Sequence, residues 1–171
     1  DEPWQVGMVE LRDGRVPGRF HESWLRVAAD RPFNPYAPGR HAEIRGLLAA
    51  APAMGELWPV WRPWLEGRAL AAHNIGTEKK FLRRAAPLHE LGPWIDTLKL
   101  ARHARPDLAG HALAEVSEAM GLTARTREFC PGRDWHDALF DAFASALILE
   151  HCLALPGWED VTVEALSRGL G

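Results

Sequence analysis

Short apolar stretches near the N-terminus predict strands, and longer segments with helical character follow them. Residues 5–11 (QVGMVEL) have the pattern of an apolar strand, and residues 12–15 form a turn with a glycine that tolerates positive φ. Residues 16–27 have the mixed apolar and polar character of a partner strand. The two segments are therefore predicted to form an antiparallel hairpin.

Strands and helices alternate along the rest of the chain. Residues 68–72 and 93–96 predict two short strands, and residues 30–39 and 125–134 predict irregular loops. Thr77 is positioned to cap a helix over residues 78–86. Further helices are predicted over residues 41–65 with a break at Pro52, 97–104, 111–120, 135–155 and from Val163 onward. This alternation indicates an α/β sheet covered by helices.

Length and composition are those of one globular domain. The chain has 171 residues, of which 47% are apolar and 25% charged, enough for a full hydrophobic core. No apolar run approaches the roughly 20 residues of a membrane span, and the N-terminus lacks the basic and apolar parts of a signal peptide. Cys130 and Cys152 have no metal-ligand spacing and are interpreted as reduced thiols. We therefore expect a cytoplasmic protein without membrane association.

Charge and aromatic content both bear on nucleic-acid binding. The net charge of −3 argues against a protein that holds nucleic acid by charge alone, so metal ions and a local site would be needed. Trp58, Trp61 and Trp64 recur every three positions, which favours core packing or an interface over base stacking. Basic residues also cluster, and both a solvated helix face and a binding surface stay open as explanations. The clustered residues are Lys79, Lys80, Arg83, Arg84, Lys99, Arg102 and Arg105.

The sharpest chemical pattern lies where the longest predicted helix begins, in the segment HDALFD from His136 to Asp141. Five residues turn an ideal helix by about 140°, so both side chains reach one cleft only if His136 lies at or before the first turn. An ionised Asp at the edge of an apolar helix needs a partner, because burying it unpaired is unfavourable. A divalent cation is one such partner. Stabilisation of the helix N-terminus by Asp137 and Asp141 is the simpler alternative.

Three further segments precede this one in the chain. They are HNIGTE at residues 73–78, IDTL at residues 95–98 and HALAEV at residues 111–116. Together with the hairpin and the helix leading into Ala51 and Pro52, their order makes the chain resemble the DnaQ-like (DEDDh) 3′–5′ exonucleases from residue 5 to residue 155. That family includes the proofreading subunit of the bacterial replicative polymerase and the RNase T-like ribonucleases.

The resemblance implies a ribonuclease H-like α/β fold with a mixed sheet flanked by helices. Residues 1–155 would form the exonuclease domain and residues 156–171 a C-terminal appendage. The resemblance also implies hydrolysis at the 3′ end of single-stranded DNA or RNA by two divalent cations, Mg²⁺ or Mn²⁺, about 4 Å apart. A histidine would take the proton from the attacking water, and an imidazole with a pKa of about 6.5 suits that role at neutral pH.

The same resemblance assigns roles to residues of this chain. His136 matches the general base, and Asp141 and Glu78 match metal ligands. The implied substrate-binding residues are His73, Asn74 and Thr77, and the implied supporting residues are Asp96 and Asp137. Asn74 is also expected to shape the loop after its strand.

Two departures from the family pattern affect this expectation. Glu78 stands where the family has Asp, which shifts the carboxylate by one methylene. The family's first motif, Asp-x-Glu on a strand just before residues 5–11, has no equivalent, since Asp1 and Glu2 are adjacent and would point to opposite faces of a strand. The first strand of the fold is therefore expected to be missing, which leaves an unpaired sheet edge.

Three explanations stay open for the missing motif: a chain that starts late, an inactive relative, and a homo-oligomer or other partner that supplies the strand. The main hypothesis is a metal-dependent 3′–5′ exonuclease. The alternatives are a catalytically dead exonuclease-fold module that binds nucleic acid or a protein, and an unrelated α/β domain. Nucleophilic catalysis is disfavoured, since neither the cysteines nor the serines stand in a nucleophile motif.

Overall fold

The computed structural model describes residues 3–16, 18–28, 30–31 and 41–170, and four strands and eight helices lie in that part of the chain. The strands are β1 (Gln5–Val9), β2 (Phe20–Trp24), β3 (Leu70–Ala72) and β4 (Trp94–Asp96). The helices are α1 (His41–Leu48), α2 (Met54–Leu65), α3 (Gly76–Ala85), α4 (Thr97–Ala104), α5 (Leu113–Ala119), α6 (Thr123–Phe129), α7 (Ala138–Leu153) and α8 (Val163–Arg168). The loop predicted over residues 30–39 lies almost entirely outside the described ranges.

The N-terminal hairpin forms as predicted. β1 and β2 pair antiparallel, with Gln5 opposite Trp24 at one end of the ladder. The chain reverses at Asp13 and Gly14, whose φ angles of 51° and 70° lie in the left-handed region. A tight hairpin turn needs two such residues, because its twist then matches the twist of the flanking strands.

β3 and β4 form a second, parallel ladder in which Ala72 lies opposite Asp96. Within the described residues the two ladders stay separate, so the predicted mixed sheet takes the form of one antiparallel and one parallel pair. The Arg68 guanidinium, just before β3, lies 3.8 Å from the Glu10 carboxylate, just after β1. The end of β1 therefore approaches the start of β3.

The longest helix, α7, is the centre of the fold. It contacts β1 and β3, and also α4, α5 and α6. Phe140, Phe143 and Leu147 are fully buried, and apolar residues occupy every side of the helix. A helix with this composition is stable only when other elements surround it. It begins at Ala138 and not at residue 135, because the Asp137 carboxylate caps it there.

The tryptophan repeat on α2 serves packing, as predicted. Trp61 is 0% exposed and forms a second core with Leu57 and Leu65 of the same helix, around which the other two tryptophans of the repeat pack. The indole N–H of Trp61 donates to the Ser23 hydroxyl at 3.0 Å. That bond satisfies the polar group of the buried ring, so the residue is a structural anchor between α2 and β2.

The start of α3 differs from the prediction. The helix begins at Gly76, and the preceding residue, Ile75, makes no capping hydrogen bond through its side chain. Thr77 therefore lies inside the first turn and is not the cap. The helix starts early because Asn74, with φ of 66°, turns the chain directly after β3.

The segment predicted as a loop over residues 125–134 instead contains most of α6, so that prediction is wrong. Arg125 donates to the Glu150 carboxylate on α7 at 2.6 Å, and the Phe129 ring stacks on Phe143 with centroids 4.8 Å apart. These contacts with α7 stabilise a helix that its polar sequence does not suggest. Tertiary packing overrides local propensity here.

The C-terminal segment packs onto the rest of the domain. α8, the helix predicted from Val163, contacts β4, and its Leu166 is 3% exposed within the same core as α7. The Trp158 ring lies edge-on to His103 of α4, with centroids 5.8 Å apart. Residues after α7 thus contribute to the main hydrophobic core.

Two further predictions concern the cysteines and membrane-spanning helices. Cys130 and Cys152 are both free thiols, as predicted, and both are buried. Across the described ranges, no helix combines the length and apolar character needed to cross a membrane.

The close contact between β1 and α7 leads to a stability prediction. A β-carbon on Gly7 would lie 2.4 Å from the Ala138 carbonyl oxygen and 2.5 Å from the Leu139 Cα. Both are backbone atoms, so Gly7→Ala has to displace the strand or the helix. We expect the free energy of unfolding to fall by about 3 kcal/mol in chemical denaturation.

Gly55→Ala is the matched control for this substitution. A β-carbon at Gly55 of α2 meets nothing within 4 Å, and Ala has a higher helix propensity than Gly. Stability of this variant should hold or rise. Equal stability of the two variants would show that β1 and α7 are not in such close contact.

Candidate active site

The start of α7 brings His136 and Asp141 together. Asp137 caps the helix by accepting from the amides of Leu139 and Phe140 at 3.1 and 3.2 Å. His136 precedes this cap with a left-handed φ of 69°, and its amide donates to the Asp141 carboxylate at 3.3 Å. His136 therefore lies before the first turn and Asp141 within it, as the spacing predicted.

The Asp141 carboxylate is largely buried and poorly compensated. Burial raises the pKa of Asp141 to about 6, and the charge of Asp137 adds to this effect while the His136 amide and ring oppose it. Among the described residues, its carboxylate receives one hydrogen bond, the long one from the His136 amide. A buried carboxylate of this kind is stabilised when it binds a proton or a cation.

A polar network fixes the start of α7 on the hairpin. Arg133 donates to both oxygens of Glu22 on β2, at 2.6 and 2.8 Å. The same guanidinium donates to the two oxygens of Asp137, at 3.0 and 3.2 Å. Gln5 on β1 donates to Glu22 and Asp137 and accepts from the Ala138 amide at 3.0 Å. Each of the four side chains is thus bonded to at least two of the others.

This network fixes the backbone of His136 through Arg133, which precedes it in the chain, and Asp137, which follows it. Hydrogen bonds from Arg133 keep the pKa of Glu22 below its ordinary value, so Glu22 stays ionised and the pairing persists at neutral pH. Arg133 and Asp137 flank His136 in sequence, so the left-handed backbone between them is maintained by fixed neighbours. The imidazole itself is exposed, and no described residue forms a hydrogen bond with its ring.

Asp96 organises the carboxyl ends of β3 and β4. Its Oδ1 accepts from the Leu98 amide at 3.0 Å, which caps α4, and from the Asn74 amide at 2.9 Å. The second bond ties the loop after β3 to the end of β4. Asn74 is therefore held at φ of 66° by the backbone bond, in agreement with its expected role in shaping this loop.

The His73 ring is engaged inside the protein. Its Nε2 donates to the His111 carbonyl at 2.8 Å, and its Nδ1 therefore accepts from the Thr97 hydroxyl at 3.1 Å. Burial lowers the pKa of His73, which favours the neutral ring that these two bonds require. Both ring nitrogens are used, and substrate binding by His73 stays a prediction.

Glu78 lies in the first turn of α3 and has an uncompensated oxygen. Its Oε2 is buried and has no hydrogen-bond partner among the described residues. Burial raises the pKa of Glu78, and the nearby charge of Asp96 raises it further. Glu150 is the contrast, because its buried carboxylate accepts from Arg125 and from the Val16 amide. The Glu78 carboxylate remains available to a proton or a cation.

The predicted site residues thus form two groups. His136 and Asp141 share one hydrogen bond at the start of α7, while Glu78 lies near Asp96 at the ends of β3 and β4. Within the described ranges, no group of three or more His, Cys, Asp or Glu residues is close enough to hold a metal ion. Convergence of Glu78 with the pair on α7, and a contact of Thr77 with substrate, stay predictions.

Sequence reasoning missed the residues that hold this site in place. Arg133 lies four residues before Asp137, which is a spacing that could have suggested their ion pair. Its pairing with Glu22 spans 111 residues and has no local signal. Gln5 is the one polar residue of β1, and a polar side chain in an apolar strand is a signal for a hydrogen-bonding role.

The buried carboxylate of Asp141 leads to a prediction on stability against pH. Its folded pKa of about 6 exceeds the ordinary value of 3.8, so folding disfavours the ionised form. The destabilisation is absent below the unfolded pKa, grows as the pH rises between the two values, and is complete above the folded one. We expect Asp141→Asn to raise the free energy of unfolding by about 1–3 kcal/mol at alkaline pH and to change it little in acid. Urea unfolding with chelator at pH 8 and pH 4 measures both.

Asp107→Asn is the control for a general effect of lost negative charge. Hydrogen bonds from Arg105 lower the pKa of Asp107 to about 2, so folding favours its ionised form. This substitution should lower stability at pH 8, whereas Asp141→Asn should raise it. A higher free energy of unfolding in both variants would show that the change in net charge, and not the burial of Asp141, causes the stabilisation.

Several known proteins are similar to this chain in sequence. The RNase T exonuclease family matches residues 1–149 of the chain. A DNA polymerase III subunit epsilon-like protein of Rhodobacter capsulatus is 29% identical over 150 residues, which are 85% of this chain and 20% of that protein. Exodeoxyribonuclease 10 of Escherichia coli is 25% identical over 154 residues, which are 90% of this chain and 63% of that protein. The chain therefore spans less than two thirds of either relative.

A solved structure is also similar. Exonuclease X in complex with 5′ overhanging duplex DNA has a TM-score of 0.70 and 26% identity, and the match covers 98% of this chain and 90% of that chain. The ribonuclease H-like α/β fold and the resemblance to DnaQ-like exonucleases are both confirmed. Since the family match extends over most of its length, this chain belongs to the RNase T family of exonucleases.

Proposed function

We propose that this chain is a metal-dependent 3′–5′ exonuclease that hydrolyses the terminal phosphodiester bond of a DNA or RNA strand. One observation carries the proposal. The exposed His136 lies next to the largely buried Asp141 carboxylate, which no Lys or Arg of the described residues pairs with. The DNA bound by Exonuclease X and the names of the exodeoxyribonuclease and polymerase relatives support a nucleic-acid substrate.

His136 is proposed to be the general base. Its ring is exposed, so a water molecule and a substrate phosphate can both reach it. The bonds of Arg133 and Asp137 on either side fix its backbone before substrate arrives. With the backbone fixed, only the side-chain torsions of His136 have to be ordered during the reaction, which favours proton transfer from the attacking water.

Glu78 and Asp141 are proposed to hold the divalent cations. Both supply carboxylate oxygens, the donors that Mg²⁺ prefers, and the Glu78 Oε2 is buried without a partner in the described part of the chain. Their raised pKa values reflect burial that a bound cation would offset. When bound, the cations would polarise the phosphate and stabilise the charge of the attacking and leaving oxygens.

The further ligands that two cations need are proposed to come from the Asp-x-Glu strand of the family. β1 pairs with β2 and β3 pairs with β4, and both β1 and β3 contact α7. A strand that pairs with both β1 and β3 would join the two ladders into one sheet. A segment of the same polypeptide or of a partner subunit would serve equally.

The non-catalytic alternative explains less of the site. A module that only binds a partner has no use for two buried carboxylates without compensating cations, because burial of a charge is unfavourable.

The activity test uses a single-stranded oligonucleotide labelled at its 5′ end. With Mg²⁺ or Mn²⁺ we expect a ladder of products shortened from the 3′ end, and none in chelator. His136→Ala should slow the reaction by about 10²–10⁴-fold, because a general base contributes that much. His103→Ala, at an exposed position of α4, is the control and should react like the parent chain. Unchanged oligonucleotide with either cation, or full activity of His136→Ala, would contradict the proposal.

The backbone of His136 provides a second test. Its φ of 69° is unfavourable for a residue with a side chain, so His136→Gly should raise the free energy of unfolding by about 0.5–1 kcal/mol while hydrolysis is lost. Asp13→Gly removes the same kind of strain in the hairpin turn, at φ of 51°, and should leave hydrolysis intact. Thermal unfolding and the oligonucleotide assay measure the two effects. Loss of stability in His136→Gly would show that the side chain is needed for folding.

A further inference from the structure

The outer face of α3 carries four cations. Lys79, Lys80, Arg83 and Arg84 are all exposed, on a chain whose net charge is −3. They occupy two adjacent rows of the helix, 79 with 83 and 80 with 84, which together cover an arc of about 140°. We name these four residues the cationic ridge.

The remaining faces of α3 fix the direction in which the ridge points. Leu82 is buried, and Phe81 and Ala85 pack against the same core as Trp61. Glu78 has a buried Oε2, and its carboxylate is close enough to Asp96 at the end of β4 for that charge to raise its pKa. The helix therefore presents its apolar side to the core, its acid to the candidate site and its cations to solvent.

None of the four ridge residues forms an ion pair with a carboxylate of the described residues. The Lys79 ammonium lies 5.8 Å from the centre of the Trp94 ring. Other surface cations differ in this respect: Arg62 pairs with Glu66 at 2.6 Å, whereas the exposed Lys99 and Arg102 of α4 also form no ion pair with a described residue. Like charges one turn apart destabilise a helix, whereas Arg83 and Arg84 in the last turn of α3 interact favourably with the helix dipole.

We propose that the cationic ridge binds the phosphate backbone of the nucleic-acid strand whose 3′ end is hydrolysed. The inference rests on the proposed function and extends it to the part of the substrate that does not react. Because Glu78 lies on the same helix within two turns of every ridge residue, a strand that ends at the candidate site passes close to the ridge. Lys and Arg contacts to phosphate carry no sequence information, which suits an exonuclease that must accept every base.

The consequence is a salt-dependent affinity in a protein that is acidic as a whole. Each cation that neutralises a phosphate releases a counterion, so the logarithm of the association constant falls with the logarithm of salt concentration by about 0.7 per contact on a single strand. A solvated helix face without a bound strand would contribute nothing to this slope. The slope therefore separates the two explanations of the basic cluster.

The experiment compares two double variants of the full chain with equal net charge. Lys80→Gln/Arg84→Gln removes two ridge cations, and Gln preserves helix propensity. Arg62→Gln/Arg168→Gln removes two cations that pair with acids four residues away in the chain, Glu66 and Glu164. Binding of a fluorescein-labelled 20-nucleotide DNA strand is followed by anisotropy in chelator, over a range of potassium chloride concentrations. We expect the slope to fall by about 1.4 in the ridge variant and to stay unchanged in the control.

Each outcome decides the proposal. Equal slopes in the two variants, or a parent chain that binds phosphatidylserine vesicles and not the oligonucleotide, would overturn it. Since chelator prevents hydrolysis, the result does not depend on the exonuclease activity. A reduced slope in the ridge variant together with failure of the 3′-shortening assay would support phosphate binding by the ridge and reject the exonuclease activity. Equal slopes together with shortening from the 3′ end would support the exonuclease activity and reject phosphate binding by the ridge.

Discussion

The hydrogen bonds of the Asp137 carboxylate hold the start of α7, the loop before it and the hairpin in their relative positions. The carboxylate accepts from the first amides of α7, pairs with Arg133 and is joined through Gln5 to β1, so that helix, loop and hairpin share one anchor. Its side chain is 7% exposed, so these bonds form where water competes little. His136 and Asp141 stand on either side of it in the chain, and the position of each follows from this one residue.

The buried and half-buried acids form two groups: those paired with an arginine, which stabilise the fold, and those without one, which are candidates for catalysis. Glu22 forms an ion pair with Arg133, and Glu150 forms one with Arg125. Both ion pairs connect elements that are distant in the chain. Glu78 and Asp141 form no ion pair with an arginine within the described structure, and burial raises the pKa of both. Titratable groups with uncompensated burial concentrate at functional sites, because stability alone would eliminate them.

The sequence allowed prediction of those features that depend on neighbours in the chain. The glycine turn predicted the hairpin, and the rotation of an ideal helix predicted that His136 precedes the first turn of α7. α6 escaped prediction because a contact from Arg125 to α7, and not its own sequence, stabilises it. The pairing of Arg133 with Glu22 escaped for the same reason, since 111 residues separate the partners and no periodicity connects them.

The left-handed backbone at His136 bears on how such a sequence would change in a lineage released from hydrolysis. Gly or Asn at that position would relieve a local penalty, and so would an uncharged residue in place of Asp141, so drift would favour both replacements. Arg133 would resist replacement, because its loss leaves Glu22 and Asp137 facing each other without a cation. Degenerate copies of this domain should therefore lose the two site residues first and keep the anchor that once positioned them.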